Sequence, residues 1–233
     1  MEYLKVILYG IIEGITEWLP ISSTGHLILA EKLLALPYSE EFMSMFRVVI
    51  QLGAILAVVV LYFPRLWPFT TDARHKYQRP EVWQLWFKIL VATLPAMVLG
   101  LLLDDWLDAH LYNYITVAAM LILYGVFFIL IENRRRRPTV RRMDQLTFRH
   151  ALIIGCWQVL AMIPGTSRSG ATIVGGLLLG LARPVAAEFT FFLAIPVMAG
   201  ASGLKLVKFL ADGGTFPRGE GAALALGCAG GFV

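Results

Sequence analysis

Charged side chains are scarce in this sequence of 233 residues: they make up 15% of it, whereas 58% of the residues are hydrophobic. A soluble domain usually carries about 25% charged residues. Too few polar side chains remain here to cover a water-facing surface, and several apolar runs approach the roughly 20 residues that cross a bilayer. The scarcity of charge excludes an ordinary soluble domain and predicts an all-α integral membrane protein.

Cysteine is also rare, and the sequence lacks a basic groove with interleaved aromatic residues. Cys156 and Cys228 lie in apolar stretches without metal-like spacing, so we expect neither a disulfide nor a zinc site. The formal net charge of +4 comes from basic residues clustered between apolar runs, as membrane orientation requires. We therefore expect no nucleic acid partner.

Apolar runs dominate what is present and predict a polytopic helical bundle forming a single membrane domain over residues 1–233. A further run starts near Gly219 and is still apolar at Val233, so we expect the C-terminal end to be incomplete, with a last helix or two missing. The four runs predicted to span the membrane are 42–63, 84–103, 113–133 and 186–209.

Two other apolar segments are interrupted. Residues 3–36 contain Pro20 followed by Ser-Ser-Thr-Gly, and residues 148–182 contain Pro164-Gly165 followed by Thr-Ser-Arg-Ser-Gly. Proline removes a backbone donor, and hydroxyl residues cap a new helix start. Irregular backbone at membrane depth is tolerated only where protein or a water-filled cavity surrounds it. Each segment therefore predicts a re-entrant helix-break-helix hairpin.

The two interrupted segments resemble each other, which predicts an internal repeat. We expect repeat one to cover about 1–133 and repeat two about 148–233. A shift of 145 residues pairs Gly10 with Gly155, Ser22 with Ser167, Thr24 with Ser169, Gly25 with Gly170 and Ile28 with Ile173.

The loops between the predicted spans differ in charge. The loop at 104–112 contains Asp104, Asp105 and Asp108 and no Lys or Arg. The positive-inside rule puts the two basic loops in the cytoplasm and the N-terminus outside. Three spans separate the hairpins, so the repeats are predicted to be inverted, as in transporters. The basic loops are 64–83, with Arg65, Arg74, Lys76 and Arg79, and 134–147, with Arg134, Arg135, Arg136, Arg137, Arg141 and Arg142.

Ionisable residues in a membrane segment are costly and usually functional. Glu13 and Glu17 are four residues apart and therefore share one face of a helix, which indicates a common function. In the alternative interpretation they have no function and only face solvent or pair locally. Arg168 lies between two serines at a predicted helix start, where the backbone N–H groups and the guanidinium both favour binding of a phosphate. Alternatively, Arg168 bridges backbone carbonyls or pairs with Glu13 or Glu17.

The strings EGITEWLPISSTGH, from Glu13 to His26, and PGTSRSGATI, from Pro164 to Ile173, resemble the two signature motifs of the undecaprenyl pyrophosphate phosphatase family linked to bacitracin resistance. Phe46 to Val60 is similar to that family's following helix. The resemblance implies a multi-pass phosphatase of the bacterial inner membrane. It would convert undecaprenyl diphosphate to the monophosphate carrier of peptidoglycan synthesis. The implied functional positions are Glu13, Glu17, Ser22, Ser23, Thr24, His26 and Arg168.

Phosphoryl transfer depends mainly on positioning and electrostatic stabilisation. Two carboxylates beside a diphosphate would repel it, so we expect Glu13 and Glu17 to hold a divalent cation, Mg²⁺ or Ca²⁺. His26 is expected to act as general base or acid. The expected phosphate-binding residues are Ser22, Thr24, Thr166, Ser167, Arg168, Ser169 and Gly170.

The nucleophile and the wider function keep alternatives. Ser23, His26 or a metal-bound water could attack, and the hydroxyl residues could be only helix caps. A transporter or flippase of an anionic prenyl phosphate lipid is the rival function, because inverted repeats suit alternating access. Other prenyl diphosphates and membrane lipid are expected partners, and a homodimer is left open.

Overall fold

The computed structural model describes residues 2–70, 78–111, 113–133, 137–216 and 219–232, except for the side chains of residues 104, 105, 108 and 109. Over these ranges the chain is helical, and its only β-structure is two isolated bridges. In chain order the helices are α1 (Glu2–Trp18), α2 (Ser23–Leu33), α3 (Glu40–Val49), α4 (Gln51–Leu61), α5 (Phe63–Leu66), α6 (Pro80–Leu111), α7 (Tyr114–Glu132), α8 (Phe148–Val159), α9 (Arg168–Leu178), α10 (Arg183–Ala211) and α11 (Glu220–Phe232).

The four predicted spans are confirmed as helices long and apolar enough to cross a membrane. They are Glu40–Leu61, Pro80–Leu103, Tyr114–Glu132 and Arg183–Ala211. The first consists of α3 and α4, joined at Ile50, whose backbone stays close to helical with φ −63° and ψ −21°. The all-α, multi-pass fold expected from the composition is therefore confirmed.

The end of α6 differs from the expectation. A loop was predicted for 104–112, but α6 continues to Leu111, and Asn113 then caps α7 by accepting a hydrogen bond from the backbone N–H of Thr116 at 2.9 Å. The physical reason is that this stretch contains neither Gly nor Pro, so the apolar run ends at Leu103 without a signal that ends the helix.

Orientation in the membrane stays a prediction. Arg74, Lys76, Arg134, Arg135 and Arg136, on which it partly depends, lie outside the described residues, as do the side chains of Asp104, Asp105 and Asp108. Two described arginines form ion pairs between elements: Arg65 with Glu188 of α10, and Arg183 with Glu132 of α7.

Both interrupted segments form a helix, a break and a second helix, as predicted. In the first, residues 19–22 separate α1 from α2. In the second, a 3₁₀ turn at Leu160–Met162 and residues 163–167 separate α8 from α9. That these hairpins are re-entrant, and that the chain divides into inverted repeats, stay predictions.

Glycines paired by the predicted repeat allow close packing of the helix that precedes each break. A β-carbon at Gly10 of α1 would lie 2.3 Å from the carbonyl oxygen of Gly227 of α11. A β-carbon at Gly155 of α8 would lie 2.2 Å from that of Ala92 of α6. Small residues at such crossings let membrane helices approach closely. Each break is therefore attached to a helix held tightly against a neighbour.

The outer faces of the spans are apolar and largely uncovered by protein. The most apolar window of α7 is only 11% buried, and that of α6 is 22% buried. Large side chains such as Leu102, Ile122 and Val207 are between 63% and 72% exposed. Such faces are costly in water and are satisfied by lipid tails, which agrees with a multi-pass membrane protein.

Candidate active site

The first break is held by an unusual backbone conformation. Ser22 is the only non-glycine residue with positive φ, 64°, in the described ranges. A conformation of this kind costs about 1–3 kcal/mol and persists only where the surroundings enforce it. The Ser22 hydroxyl caps α2 by accepting a hydrogen bond from the N–H of Gly25 at 3.4 Å. The break therefore fixes Ser23 at the first position of α2.

The second break places Arg168 in the equivalent position on α9. Gly165 adopts φ +92°, and a β-carbon there would lie 2.6 Å from the carbonyl oxygen of Val117, so the turn requires glycine twice over. The Ser167 hydroxyl caps α9 by accepting from the N–H of Gly170 at 3.1 Å. The capping function expected of these serines is observed in both breaks.

The two breaks meet. The Ser169 hydroxyl donates to the carbonyl of Leu19 at 3.3 Å, and Nη2 of Arg168 donates to Oε1 of Glu17 at 2.7 Å. The two side chains of this ion pair are only 13% and 11% exposed. Residues about 150 apart in the sequence thus form one site, and the alternative in which Arg168 pairs with Glu17 describes the structure.

Glu17 also contacts the candidate nucleophile. Its second oxygen, Oε2, accepts a hydrogen bond from the Ser23 hydroxyl at 2.7 Å. A carboxylate in this position can take the proton of an attacking hydroxyl. Glu17 therefore joins the nucleophile candidate of one hairpin to the guanidinium of the other.

Glu13 lies one helical turn before Glu17 and is completely buried. Neither of its carboxylate oxygens has a hydrogen-bond partner among the described residues. A buried carboxylate without a partner is costly and calls for a proton or a cation. The donor set of Glu13 and Glu17 fits a hard divalent cation, because such ions take oxygen ligands. Over the described ranges no group of three or more His, Cys, Asp and Glu residues is present, so further ligands would be hydroxyl, phosphate or water oxygens.

His26 is half-buried and lies one turn after Ser22. Its Nδ1 is 2.9 Å from the carbonyl oxygen of Ser22. Because a carbonyl only accepts, Nδ1 carries the hydrogen, and Nε2 of the neutral ring is the basic atom. His26 is not part of the wall of the cavity described next, in contrast to Ser23.

A cavity of about 560 Å³ opens where the breaks meet. The breaks contribute polar side chains such as Ser23 and Arg168 to its wall, whereas α6 and α10 contribute apolar ones, among them Met97, Leu101 and Leu204. Gly170 supports the wall without lining it, since a β-carbon there would lie 3.1 Å from that of Ser167. The expected site residues in the wall are Glu17, Ser22, Ser23, Thr24, Thr166, Ser167, Arg168 and Ser169.

Sequence reasoning missed residues that hold or extend this wall. Thr190 of α10 accepts from Nη1 of Arg168 through its carbonyl at 3.4 Å and donates its hydroxyl to Thr172 at 2.9 Å. The hydroxyl of Thr172 in turn donates to the carbonyl of Arg168 at 3.0 Å. Gln158 lines the cavity and is 2% exposed. Its amide in an apolar helix was a signal that could have been used, whereas Thr190 carried none.

Comparisons with known proteins place this geometry in a family context. The family model described as bacitracin resistance protein BacA matches residues 6–233. A protein of Enterococcus faecalis named undecaprenyl-diphosphatase is 57% identical over 231 residues, which cover 98% of this chain and 83% of that protein. Proteins of the same name from Limosilactobacillus fermentum and Acetivibrio thermocellus are 52% and 57% identical, over 100% and 90% of this chain and 85% and 77% of their own lengths.

Proposed function

Because the chain belongs to the bacitracin resistance protein BacA family, we propose that it is an integral membrane phosphatase that hydrolyses undecaprenyl diphosphate to undecaprenyl phosphate and inorganic phosphate. The relatives reported above are named undecaprenyl-diphosphatase. The reaction returns the lipid carrier to peptidoglycan synthesis in a bacterial inner membrane and thereby gives resistance to bacitracin.

The observation that carries this proposal is the pair of contacts made by Glu17. One carboxylate oxygen accepts from Ser23 and the other from Arg168, each at 2.7 Å, at the wall of a cavity. A hydroxyl next to a base can attack a phosphoryl group, and a guanidinium beside them can stabilise the charge of that group during transfer. A structural ion pair alone would not need the serine or the cavity.

The cavity suits a diphosphate with an apolar tail. Its volume of about 560 Å³ lies within the range of small-molecule sites. The headgroup binds among the polar residues of the wall, between Ser22, Ser23 and Thr24 around the start of α2 and Thr166, Ser167 and Ser169 around the start of α9. The first prenyl units contact the apolar side near Met97 and Leu204, and the rest of the tail lies in lipid. Other prenyl diphosphates are substrates for the same reason.

In the proposed reaction Ser23 is the nucleophile. Its Oγ attacks the terminal phosphorus while Glu17 takes the hydroxyl proton. The bond from that phosphorus to the bridging oxygen breaks, and undecaprenyl phosphate leaves with the electron pair. After Glu17 has released its proton to solvent, water attacks the phosphorus with Glu17 again as base. The Oγ–P bond breaks, Glu17 passes the proton to Oγ, and phosphate is released.

Arg168 stabilises the charge that spreads over the phosphoryl oxygens. Its Nε is buried and has no hydrogen-bond partner in the described part of the chain, so one N–H donor is available without breaking the contact to Glu17. The N-terminal N–H groups of α2 and α9 add positive potential. His26, with its basic Nε2 outside the cavity wall, exchanges protons with the site through water rather than attacking directly.

Glu13 and Glu17 hold a divalent cation, Mg²⁺ or Ca²⁺, in this proposal. The support is the buried carboxylate of Glu13, which lacks a partner among the described side chains. When bound, the cation supplies the positive charge that lets a diphosphate approach two carboxylates. In the proposed orientation the basic loops are cytoplasmic and the N-terminus is outside.

The proposal is tested by incubating the purified protein in detergent with undecaprenyl diphosphate and Mg²⁺ and measuring both phosphate and the lipid product. We expect equal amounts of phosphate and undecaprenyl phosphate. Shorter prenyl diphosphates should also react, whereas water-soluble diphosphates should react poorly because they lack the apolar contacts. If folded protein releases no phosphate from any prenyl diphosphate, the phosphatase proposal is wrong and lipid transport becomes the leading function.

A further inference from the structure

Gln158 carries a buried amide that the structure leaves without a partner. It lies in the last turn of α8, is 2% exposed and lines the cavity. Neither its Oε1 nor its Nε2 makes a hydrogen bond to any described residue. Buried polar groups in native proteins are nearly always satisfied, so each exception requires an explanation. A ligand in the cavity would provide one.

The repeat gives this residue a counterpart. The shift of 145 that pairs Ser22 with Ser167 also pairs Glu13 with Gln158, each nine residues before the capping serine. Both side chains are buried and unpartnered in the described structure. The repeats therefore keep one unsatisfied polar side chain at the same position, but as a carboxylate in the first and a neutral amide in the second.

The two residues differ in the hydrogen bonds that they can make, and of the two only Gln158 lines the cavity. A carboxylate only accepts hydrogen bonds, whereas an amide also offers two N–H donors. Thr166 and Arg168, which line the cavity from the same repeat as Gln158, likewise have a buried hydroxyl and a buried Nε without partners in the described ranges. The second repeat thus offers unsatisfied donors to one cavity, which is the arrangement that an anion requires.

We infer that Gln158 is a substrate-binding residue whose amide N–H donates to a non-bridging oxygen of the diphosphate. This inference rests on the proposed phosphatase function. A neutral donor binds the headgroup without the repulsion that a second Glu13-like carboxylate would add. The amide is left unsatisfied in the free protein because its partner arrives with the substrate.

The test compares Gln158→Leu, Gln158→Glu and the control Gln145→Leu. Gln145 is an exposed glutamine whose side chain accepts from the backbone N–H of Arg141 at 2.8 Å, so its role is local. A hydrogen bond to a charged group changes affinity roughly 10- to 150-fold. We expect Gln158→Leu to raise KM by that factor, Gln158→Glu to raise it further, and Gln145→Leu to leave it unchanged.

A stability measurement separates binding from a structural role. Without substrate, Gln158→Leu should melt at the same temperature as the wild type or higher, because an unsatisfied buried amide is removed. A lower melting temperature with unchanged KM would overturn the inference. So would equal KM values for wild type and both Gln158 variants.

Binding of a non-hydrolysable prenyl methylenebisphosphonate, followed by thermal shift, keeps this test independent of turnover. The wild type and Gln145→Leu should be stabilised by it, and Gln158→Leu much less. Equal stabilisation of all three proteins contradicts the assignment of Gln158 and leaves the proposed phosphatase function unaffected. If the wild type binds the bisphosphonate but releases no phosphate from undecaprenyl diphosphate, the proposed phosphatase is contradicted, while weaker binding by Gln158→Leu still supports the assignment of Gln158.

Discussion

The ion pair between Glu17 and Arg168 joins the two hairpins, and removing one partner should cost more than removing both. The perturbations are Glu17→Gln, Arg168→Gln and the double variant. Each single change leaves a charge that is 11–13% exposed without its partner. Breaking a buried pair in this way costs about 3–5 kcal/mol, whereas exchanging both charges for neutral groups costs much less.

The expected shift in melting temperature follows from the length of the chain. For 150–250 residues, 1 kcal/mol corresponds to a shift of roughly 2–4 °C in melting temperature. Each single variant should therefore melt about 6–20 °C below the wild type. The double variant should recover part of that loss, because no unpaired charge remains.

The assay is thermal unfolding in one detergent at one scan rate, since unfolding of such proteins is often irreversible. The matched control is the pair of Arg183 with Glu132, whose side chains are 62% and 43% exposed. Exposed pairs contribute about 0–1 kcal/mol, so Arg183→Gln and Glu132→Gln should melt close to the wild type. If the losses of Glu17→Gln and Arg168→Gln simply add in the double variant, the two residues are not coupled and the reasoning is refuted.

Three further predictions concern the nucleophile, the packing and the cation. Ser23→Ala should lower phosphate release by at least about 10³-fold, because the nucleophile and its contact with the base are lost. The control Ser39→Ala, which removes only the cap of α3, should remain active. If Ser23→Ala keeps more than about a tenth of the wild-type release, Ser23 is not the nucleophile. Gly10→Val and Gly155→Val should eliminate the size-exclusion peak of the folded protein, because a β-carbon at either site would lie within 2.3 Å of a backbone oxygen. The control Gly125→Ala should elute like the wild type, because a β-carbon there has nothing within 4 Å. A chelator should stop phosphate release, and added Mg²⁺ or Ca²⁺ should restore it in the wild type but only at higher concentration in Glu13→Gln; release unaffected by chelation would contradict the cation proposal.

The spans and the positions of the breaks could be predicted because their causes are local. Hydropathy defined the long helices, and Pro20 and Gly165, each followed closely by hydroxyl residues that can cap a new helix, marked the breaks. The charge pattern was a poorer guide to the end of α6, because carboxylates interrupt an apolar run without interrupting a helix.

The candidate site was only partly predictable, because its contacts join distant parts of the chain. The sequence singled out Glu17 and Arg168 as costly charges and allowed them to pair, but did not choose between pairing and separate roles. The contact of Ser23 with Glu17 depends on the strained backbone at Ser22. That backbone conformation could not be predicted from the type of residue at this position. The support from Thr190 arises from tertiary packing of α10 against α9, so an inconspicuous threonine gave no sign of it.

The central claim is that Glu17 and Arg168, brought together by two separate breaks, act in one site on a prenyl diphosphate. The most direct measurement is Mg²⁺-dependent phosphate release from undecaprenyl diphosphate by wild type, Glu17→Gln and Arg168→Ala, each verified as folded. We predict release by the wild type and a loss of at least about 10²-fold in both variants, as for removal of a base or of a charge-stabilising group. Release by either folded variant at the wild-type rate would contradict the account.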